Sequence, residues 1–107
     1  MNIRFASGSV RFRVDREEFA TLAAGRAVTM RVKLPGQHAF NASITPDRFG
    51  SWRLDNDPTG FWLAVPAGDL KALAEVLPTA EGLAHRFELD GGSSVEVVFE
   101  VDVREQA

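Results

Sequence analysis

Residues 9–25, SVRFRVDREEFATLAAG, predict a strand that runs directly into a helix. From position 10 to 14, valine and phenylalanine alternate with arginine, which is the period of a strand with one buried face. Asp15 then stands where a helix N-cap is needed. Glu18, three residues later, completes a capping box that has Asp in place of the usual Ser or Thr. Gly25 is placed to end the helix. The other elements can be predicted outward from this strand–helix unit.

Apolar alternation predicts seven more strands. Pro46 ends one of them, because proline cannot donate a ladder hydrogen bond. After Pro66 the apolar period becomes that of a helix, which Pro78 ends. The predicted strands, including that of the first unit, cover residues 2–6, 9–14, 28–34, 38–45, 49–54, 61–65, 83–89 and 95–103.

The two strand–helix junctions share a pattern. VRFRVDREEFATL and FWLAVPAGDLKAL align with an offset of 51 residues, which places Val14 on Val65 and Leu22 on Leu73. Each half then reads strand, strand, helix, strand, strand, as two ββαββ units. Eight short, mainly antiparallel strands with two helices predict an α+β fold in a single domain over residues 1–107. We expect a curved sheet or a partly closed barrel.

The composition is that of a soluble globular domain, with 45% hydrophobic and 25% charged residues. The chain has no cysteine, which excludes disulfides, thiolate zinc sites, iron–sulfur clusters and a cysteine nucleophile. No apolar run approaches the length of about 18 residues that a membrane helix needs. The opening residues also lack the apolar core of a signal peptide. We therefore expect a cytoplasmic protein with no membrane segment.

Charge is distributed unevenly along the chain. The net charge is −3, but residues 1–54 carry +5 and residues 55–107 carry −8. A negative total argues against a nucleic-acid partner. The asymmetry leaves two interpretations open: an anionic ligand held by the first half, or neutralisation of one half by the other.

Five basic residues alternate with the apolar ones on the early strands, and they could form an anion-binding face. Arginine forks bind phosphate oxygens in bidentate fashion, so such a face would suit a phosphate or another polyanion. The last strand, however, carries three acids opposite its own apolar residues, and cross-strand ion pairs with these acids are the interpretation that we favour. The bases are Arg4, Arg11, Arg13, Arg31 and Lys33, and the acids are Glu96, Glu100 and Asp102.

The two tryptophans are candidates for an interaction surface. Trp62 alternates with the apolar residues of its strand, and Trp52 lies on the strand before it. If the two strands pair as a hairpin, one indole lies outside the main core, where an exposed aromatic marks self-association or a protein partner. The alternative is a curved sheet that buries both rings.

The other motifs predict no catalytic or metal site. Residues 55–60, DNDPTG, match the opening of a calcium loop, but the twelfth position is Pro66 instead of the bidentate Glu, and a hairpin turn explains the same residues. His38 and His85 have no partner at metal-ligand spacing. No nucleophile elbow, P-loop or dinucleotide fingerprint is present. We expect neither a cofactor nor an enzyme.

The opening residues resemble those of a known family. They are Ile3-Arg4, the run GSVRFRV at 8–14, Leu22 and Gly25. They are similar to the start of a family of short bacterial proteins of unknown function. That family opens with Met-Lys-Ile-Arg and a Gly-Asn-Ser-Ile-Arg-Phe-Arg-Leu type stretch. The late run VEVVFEVDV departs from the Glu-Lys-Asp-Phe and Cys with which that family tends to finish. The resemblance implies no activity.

Two hypotheses of function follow. The first is a small non-enzymatic binding or interaction domain, with a homodimer among its forms, which contacts a protein or a small ligand. The second is a polyanion or nucleotide-phosphate binder that uses the basic face. Two ββαββ halves with arginines on the strands resemble the triphosphate-tunnel fold of adenylate cyclases and triphosphatases. The Glu-x-Glu-x-Lys strand of those enzymes has no counterpart in MNIRFAS, so the resemblance implies at most a degenerate phosphate binder.

Overall fold

A computed structural model describes residues 1–36, 38–102 and 104. Within these residues the chain forms eight strands and two helices, as the α+β prediction required. In chain order the elements are β1 (Asn2–Ala6), β2 (Ser9–Val14), α1 (Arg16–Ala23), β3 (Val28–Leu34), β4 (His38–Asp47), β5 (Arg53–Asp57), β6 (Gly60–Pro66), α2 (Ala67–Val76), β7 (Leu83–Glu88) and β8 (Ser94–Val101).

The strands form two separate four-stranded sheets. Sheet A has the order β1-β2-β8-β7, and sheet B has the order β3-β4-β6-β5. In each sheet the central pair is parallel and the outer pairs are antiparallel. Each helix carries the chain from one sheet to the other, so each sheet takes one hairpin from each ββαββ half. A single curved sheet or a partly closed barrel is therefore not confirmed.

The inner faces of both sheets share one core with the two helices. Rings of Phe5 and Phe61 meet across the sheets, with centroids 5.4 Å apart. The residue pairs named in the repeat alignment, Val14 with Val65 and Leu22 with Leu73, are buried in both halves. Burial of each such side chain stabilises the fold by about 1.5–3 kcal/mol. The buried apolar residues are Val10, Phe12, Val14, Phe19, Leu22, Val28, Ala42, Ile44, Leu63, Ala64, Val65, Leu70, Leu73, Val97, Phe99 and Val101.

The first strand–helix junction has the predicted capping box. The Asp15 carboxylate accepts a hydrogen bond of 2.8 Å from the backbone N–H of Glu18. The Glu18 carboxylate accepts one of 3.0 Å from the backbone N–H of Asp15. Gly25 follows the helix with φ of 87°, a conformation that glycine adopts without a Cβ penalty. Its N–H donates to the Leu22 carbonyl at 2.9 Å. The helix boundaries predicted from the sequence are therefore confirmed.

Strands β6, β7 and β8 differ from the predicted bounds by one or two residues, and the differences at β4 and β5 have a physical reason. Strand β4 continues past Pro46 to Asp47, because β3 begins at Val28, opposite Ile44, and the rest of β4 has a partner on one side only. Strand β5 covers 53–57 instead of 49–54, because its acidic residues pair with β6 whereas Phe49 is 83% exposed. Val103, the predicted end of the last strand, lies outside the described residues.

Candidate binding face

The five basic residues do not form one surface. Strands β1 and β2 place three of them on the outer face of sheet A, and β3 places the other two on the outer face of sheet B. The sequence suggested a common face because all five alternate with apolar residues. The alternation of basic and apolar residues shows which side chains share a face of their strand, but it does not show to which sheet the strand belongs. Here α1 lies between β2 and β3 in the chain, and the two strands belong to different sheets.

Two of the arginines are held by one buried carboxylate. Arg11 Nη1 lies 2.8 Å from Glu100 Oε2, and Arg13 Nε lies 2.8 Å from Glu100 Oε1. The parallel register of β2 and β8 sets Arg13 directly opposite Glu100. Only 6% of Glu100 is exposed, and a buried carboxylate needs such partners. The ion-pair interpretation is therefore confirmed for Arg11 and Arg13.

The other two acids of the last strand differ from Glu100. Asp102 pairs with Arg104 at 3.0 Å, and the hydrogen bonds from Arg104 hold the pKa of Asp102 below its ordinary value, with a smaller contribution from the charge of Arg13. Glu96 is exposed and lies opposite Arg86 on β7. Glu100 is thus the acid that holds both arginines of β2.

Replacing Glu100 with alanine should lower the free energy of unfolding by about 2 kcal/mol, because two arginines then lose their buried partner. This loss of unfolding free energy is smaller than for a fully buried ion pair, because 45% of the Arg11 side chain and 29% of the Arg13 side chain are exposed to solvent. Urea denaturation measures the change. Glu96→Ala, on the same face of the same strand, is the control and should change the free energy by less than about 0.5 kcal/mol. Equal losses in the two variants would contradict the ion-pair interpretation.

Arg4, Arg31 and Lys33 make no ion pair with any residue that the structure describes. Arg4 lies opposite Arg11 and lines a cleft of about 200 Å³ whose walls also carry three acids. Because the cleft is lined by both basic and acidic side chains, its charge does not favour the binding of an anion. Arg31 and Lys33 lie on β3, an edge strand of sheet B, opposite the neutral residues Asn41 and Ala39 of β4.

Arg31 and Trp62 line the same groove on the outer face of sheet B. Trp62 on β6 lies opposite Ser43 on β4, and Ser43 lies opposite Thr29 on β3. Gly60 precedes Trp62 on the same face, and the backbone of Asn41 packs closely against it. The groove has a volume of about 440 Å³ and is called the Trp62 groove below. Its walls are Thr29, Met30, Arg31, Asn41, Ala42, Ser43 and Trp62.

The two edges of this face carry opposite charge. On the β3 side, a second cavity of about 370 Å³ shares Arg31 with the Trp62 groove and adds Lys33 and His38. On the β5 side, Asp55 lies opposite Trp62 and pairs with Arg53 at 3.8 Å, and Asp57 lies opposite Gly60. With two acids and one base, this side is negative overall. Hydrogen bonds from the side chain and backbone of Thr59 lower the pKa of Asp57, so this acid stays ionised at neutral pH. An anion is therefore attracted to the β3 side of Trp62 and repelled from the β5 side.

Trp52, the other tryptophan proposed for an interface, has internal partners. Its Nε1–H donates to Asp69 Oδ2 at 3.2 Å, in the first turn of α2. Its ring stacks on His85, with centroids 5.4 Å apart and planes 7° apart, and His85 meets Phe87 edge to face. The indole N–H of Trp62 has no hydrogen-bond partner in residues 1–36, 38–102 and 104. Of the two, Trp62 is the tryptophan that faces outward.

Other kinds of site have less structural support. In the described part of the chain, no group of three or more His, Asp or Glu residues is arranged to hold a metal. Asp55 and Asp57 belong to β5, and the turn of that hairpin is Pro58-Thr59, which explains the calcium-like pattern as a hairpin. Among the same residues, no helix has the length and hydropathy to cross a membrane.

Comparison with protein-family models, with curated proteins and with solved structures finds no match. The face is therefore interpreted from its own geometry. Sequence reasoning singled out Arg31 and Trp62 separately and missed Asn41, Ser43 and Thr29, which complete the groove. Little in the sequence indicated that these three residues belong to a site, because polar residues alternate with buried ones in any half-exposed strand.

Proposed function

We propose that the protein is a non-enzymatic binding domain and that the outer face of sheet B binds an anionic group. The observation that carries the proposal is the contrast between the two basic sets. Arg11 and Arg13 are already neutralised by Glu100, whereas Arg31 and Lys33 have no acid within ion-pair distance among the described residues. An incoming anion does not have to displace an internal partner from the second set.

The groove supports binding better than it supports chemistry. Its hydroxyl and amide side chains are Thr29, Ser43 and Asn41, and no carboxylate or imidazole of the described residues lines it beside them. A nucleophilic hydroxyl needs such a base within hydrogen-bond distance. The guanidinium of Arg31 attracts an anion by its charge. It also orients the bound anion, because it presents several N–H donors in a fixed plane.

Thermal melting in the presence of phosphate, nucleotides and polyphosphate tests the proposal. A ligand that binds only the native state raises the melting midpoint, and attraction to exposed cations weakens when salt is raised. We expect a saturable rise with phosphate-bearing ligands that is lost in Arg31→Ala. The control is Arg86→Ala, which removes the same charge from the outer face of edge strand β7 in sheet A. A flat response at low and moderate salt, or an equal loss in Arg86→Ala, would contradict the proposal.

A protein partner is the second candidate function, and one observation favours it. Phe5 is 59% exposed, and Val32 and Leu34 on β3 are 44% and 46% exposed. Phe5 contacts Phe61, which contacts Phe40, so these rings form a continuous apolar surface. Such surfaces mark interaction sites or self-association. A flat ligand response combined with concentration-dependent sedimentation would favour this candidate. The resemblance to the bacterial family and a cytoplasmic location stay predictions.

A further inference from the structure

We infer that the Trp62 groove takes a nucleotide with a short phosphate chain, with the base on Trp62 and the phosphate on Arg31 and Lys33. The inference rests on the proposed function and names the ligand of the same face. It depends on three features of the groove: an aromatic ring, a set of neutral polar side chains, and two cations at one end that have no ion-pair partner among the described residues.

The Trp62 ring is available to a ligand. The ring is half-buried on the outer face of sheet B, with the small Ser43 opposite it on β4 and Asp55 opposite it on β5. Its N–H has no partner in the described chain, whereas that of Trp52 is held by Asp69. Nucleic-acid bases stack on aromatic rings that line a binding groove, and such stacking makes a large contribution to affinity.

The strand register sets the distance between the ring and the cations. From Trp62 across β4 to Thr29 is two strand spacings, about 10 Å between Cα atoms. Arg31 lies two residues beyond Thr29 on β3, so the Cα atoms of these two residues are about 7 Å apart. Both side chains line one cavity of about 440 Å³, a volume within the range of small-molecule sites. A ligand with a ring and an anion separated by a short linker fits between them.

Neutral polar groups lie along the path from the ring to the cations. Asn41 is half-buried, and its side-chain amide makes one long contact of 3.5 Å with the Thr59 carbonyl. Ser43 and Thr29 add two hydroxyls on the same face. These groups can donate to and accept from the hydroxyls of a sugar, as the few polar groups of a small-molecule site do.

Charge limits the ligand to a single nucleotide. Asp55 lies directly opposite Trp62 on the side away from Arg31 and pairs with Arg53, and Asp57 lies on the same face of β5. A second phosphate beyond the base would therefore meet two carboxylates and one guanidinium, a net negative charge. A nucleic-acid strand carries a phosphate on each side of every base and is therefore disfavoured. A second copy of the chain is disfavoured as well, because twofold pairing of two β3 edges brings their Arg31 and Lys33 residues together.

Calorimetric titration with inorganic phosphate, adenosine and adenosine monophosphate separates the contributions of ring and anion. We expect adenosine monophosphate to bind about tenfold more tightly than phosphate, because stacking adds to the ionic attraction. Trp62→Leu should remove that advantage and leave phosphate binding unchanged. Trp62→Phe, which keeps a ring and a similar volume, should retain part of the advantage, and Arg31→Ala should weaken both ligands. Arg86→Ala is the control of equal charge.

The outcomes distinguish failure of the inference from failure of the proposed function. If phosphate and adenosine monophosphate bind equally and Trp62→Leu changes neither, the nucleotide inference is overturned while anion binding stands. If none of the three binds, both are overturned. If adenosine binds as well as its monophosphate and Arg31→Ala has no effect, the ionic contribution is overturned. Sedimentation of wild type and Arg31→Ala checks the alternative occupant, since a dimer that depends on Arg31 would also overturn the inference.

Discussion

Replacing Phe99 with alanine should lower the free energy of unfolding by about 4 kcal/mol. Phe99 is completely buried on β8 and lies opposite Phe12 on β2 and Leu83 on β7. Its ring also contacts Phe19 of α1, with centroids 6.3 Å apart. The substitution therefore leaves a cavity bounded by three strands and a helix, and these elements cannot all move inward to fill it. A domain of this size is stable by about 5–15 kcal/mol, so the loss is a large part of the total.

Val98→Ala is the matched control for this prediction. Val98 is the preceding residue of the same strand, but it lies half-buried on the outer face of sheet A. Its truncation should lower the free energy of unfolding by less than about 1 kcal/mol. Urea denaturation, followed by circular dichroism, gives both values. A loss at position 98 that equals or exceeds the loss at position 99 would show that the inner face of sheet A has been assigned wrongly.

Replacing Gly60 with alanine should lower the free energy of unfolding by about 3 kcal/mol. A Cβ atom at this position would overlap the carbonyl oxygen of Asn41 and lie 2.9 Å from its carbonyl carbon. Asn41 cannot move aside as a flexible side chain would, because its backbone N–H donates to the Thr59 carbonyl at 2.8 Å. The central β4–β6 pair of sheet B must therefore separate at its first residues. Because the displaced Asn41 lines the Trp62 groove, anion binding should weaken in the same variant.

Gly68→Ala tests whether the effect is specific to the close approach of β4 and β6. Gly68 lies in α2, and a Cβ atom added there would meet nothing within 4 Å. Alanine favours the helix at such a site, so this variant should be about 0.5–1 kcal/mol more stable than the wild type. The comparison is made by thermal and urea unfolding. Equal stability of the two variants would contradict the described pairing of β4 with β6.

Local sequence signals predicted the local structure well. The capping box of Asp15 and Glu18 and the glycine after α1 involve residues within one helix and its ends, and they were predictable. The error at β5 has a different origin. Aspartate and asparagine disfavour strands, so 55–57 read as a turn, but pairing with β6 overrides that preference. Propensity is a weak signal wherever a partner strand decides the conformation.

The division into two sheets could not be predicted from the sequence, because it depends on contacts between distant residues. The bond from Arg13 to Glu100 joins positions 87 residues apart, and it exists because β2 lies parallel to β8. Alternation of apolar residues shows which residues share a face of a strand, but it does not show which strands pair with it. The alternation could place Trp62 on the face opposite Phe61 and Leu63. It could not show that this face is the outer one, nor that Trp62 lies beside Ser43 and in one groove with Arg31.

The central claim is that anions bind on the outer face of sheet B at Arg31 and the Trp62 groove. A titration with pyrophosphate, followed through the amide, arginine Nε–H and indole N–H signals of the isotope-labelled protein, tests it most directly. Two internal references are present, because Arg13 Nε is held by Glu100 and Trp52 Nε1 by Asp69. We predict saturable shifts of the Arg31 and Trp62 signals, with those of Arg13 and Trp52 unchanged. Shifts centred on Arg13, or no saturable shift at Arg31, would contradict the claim.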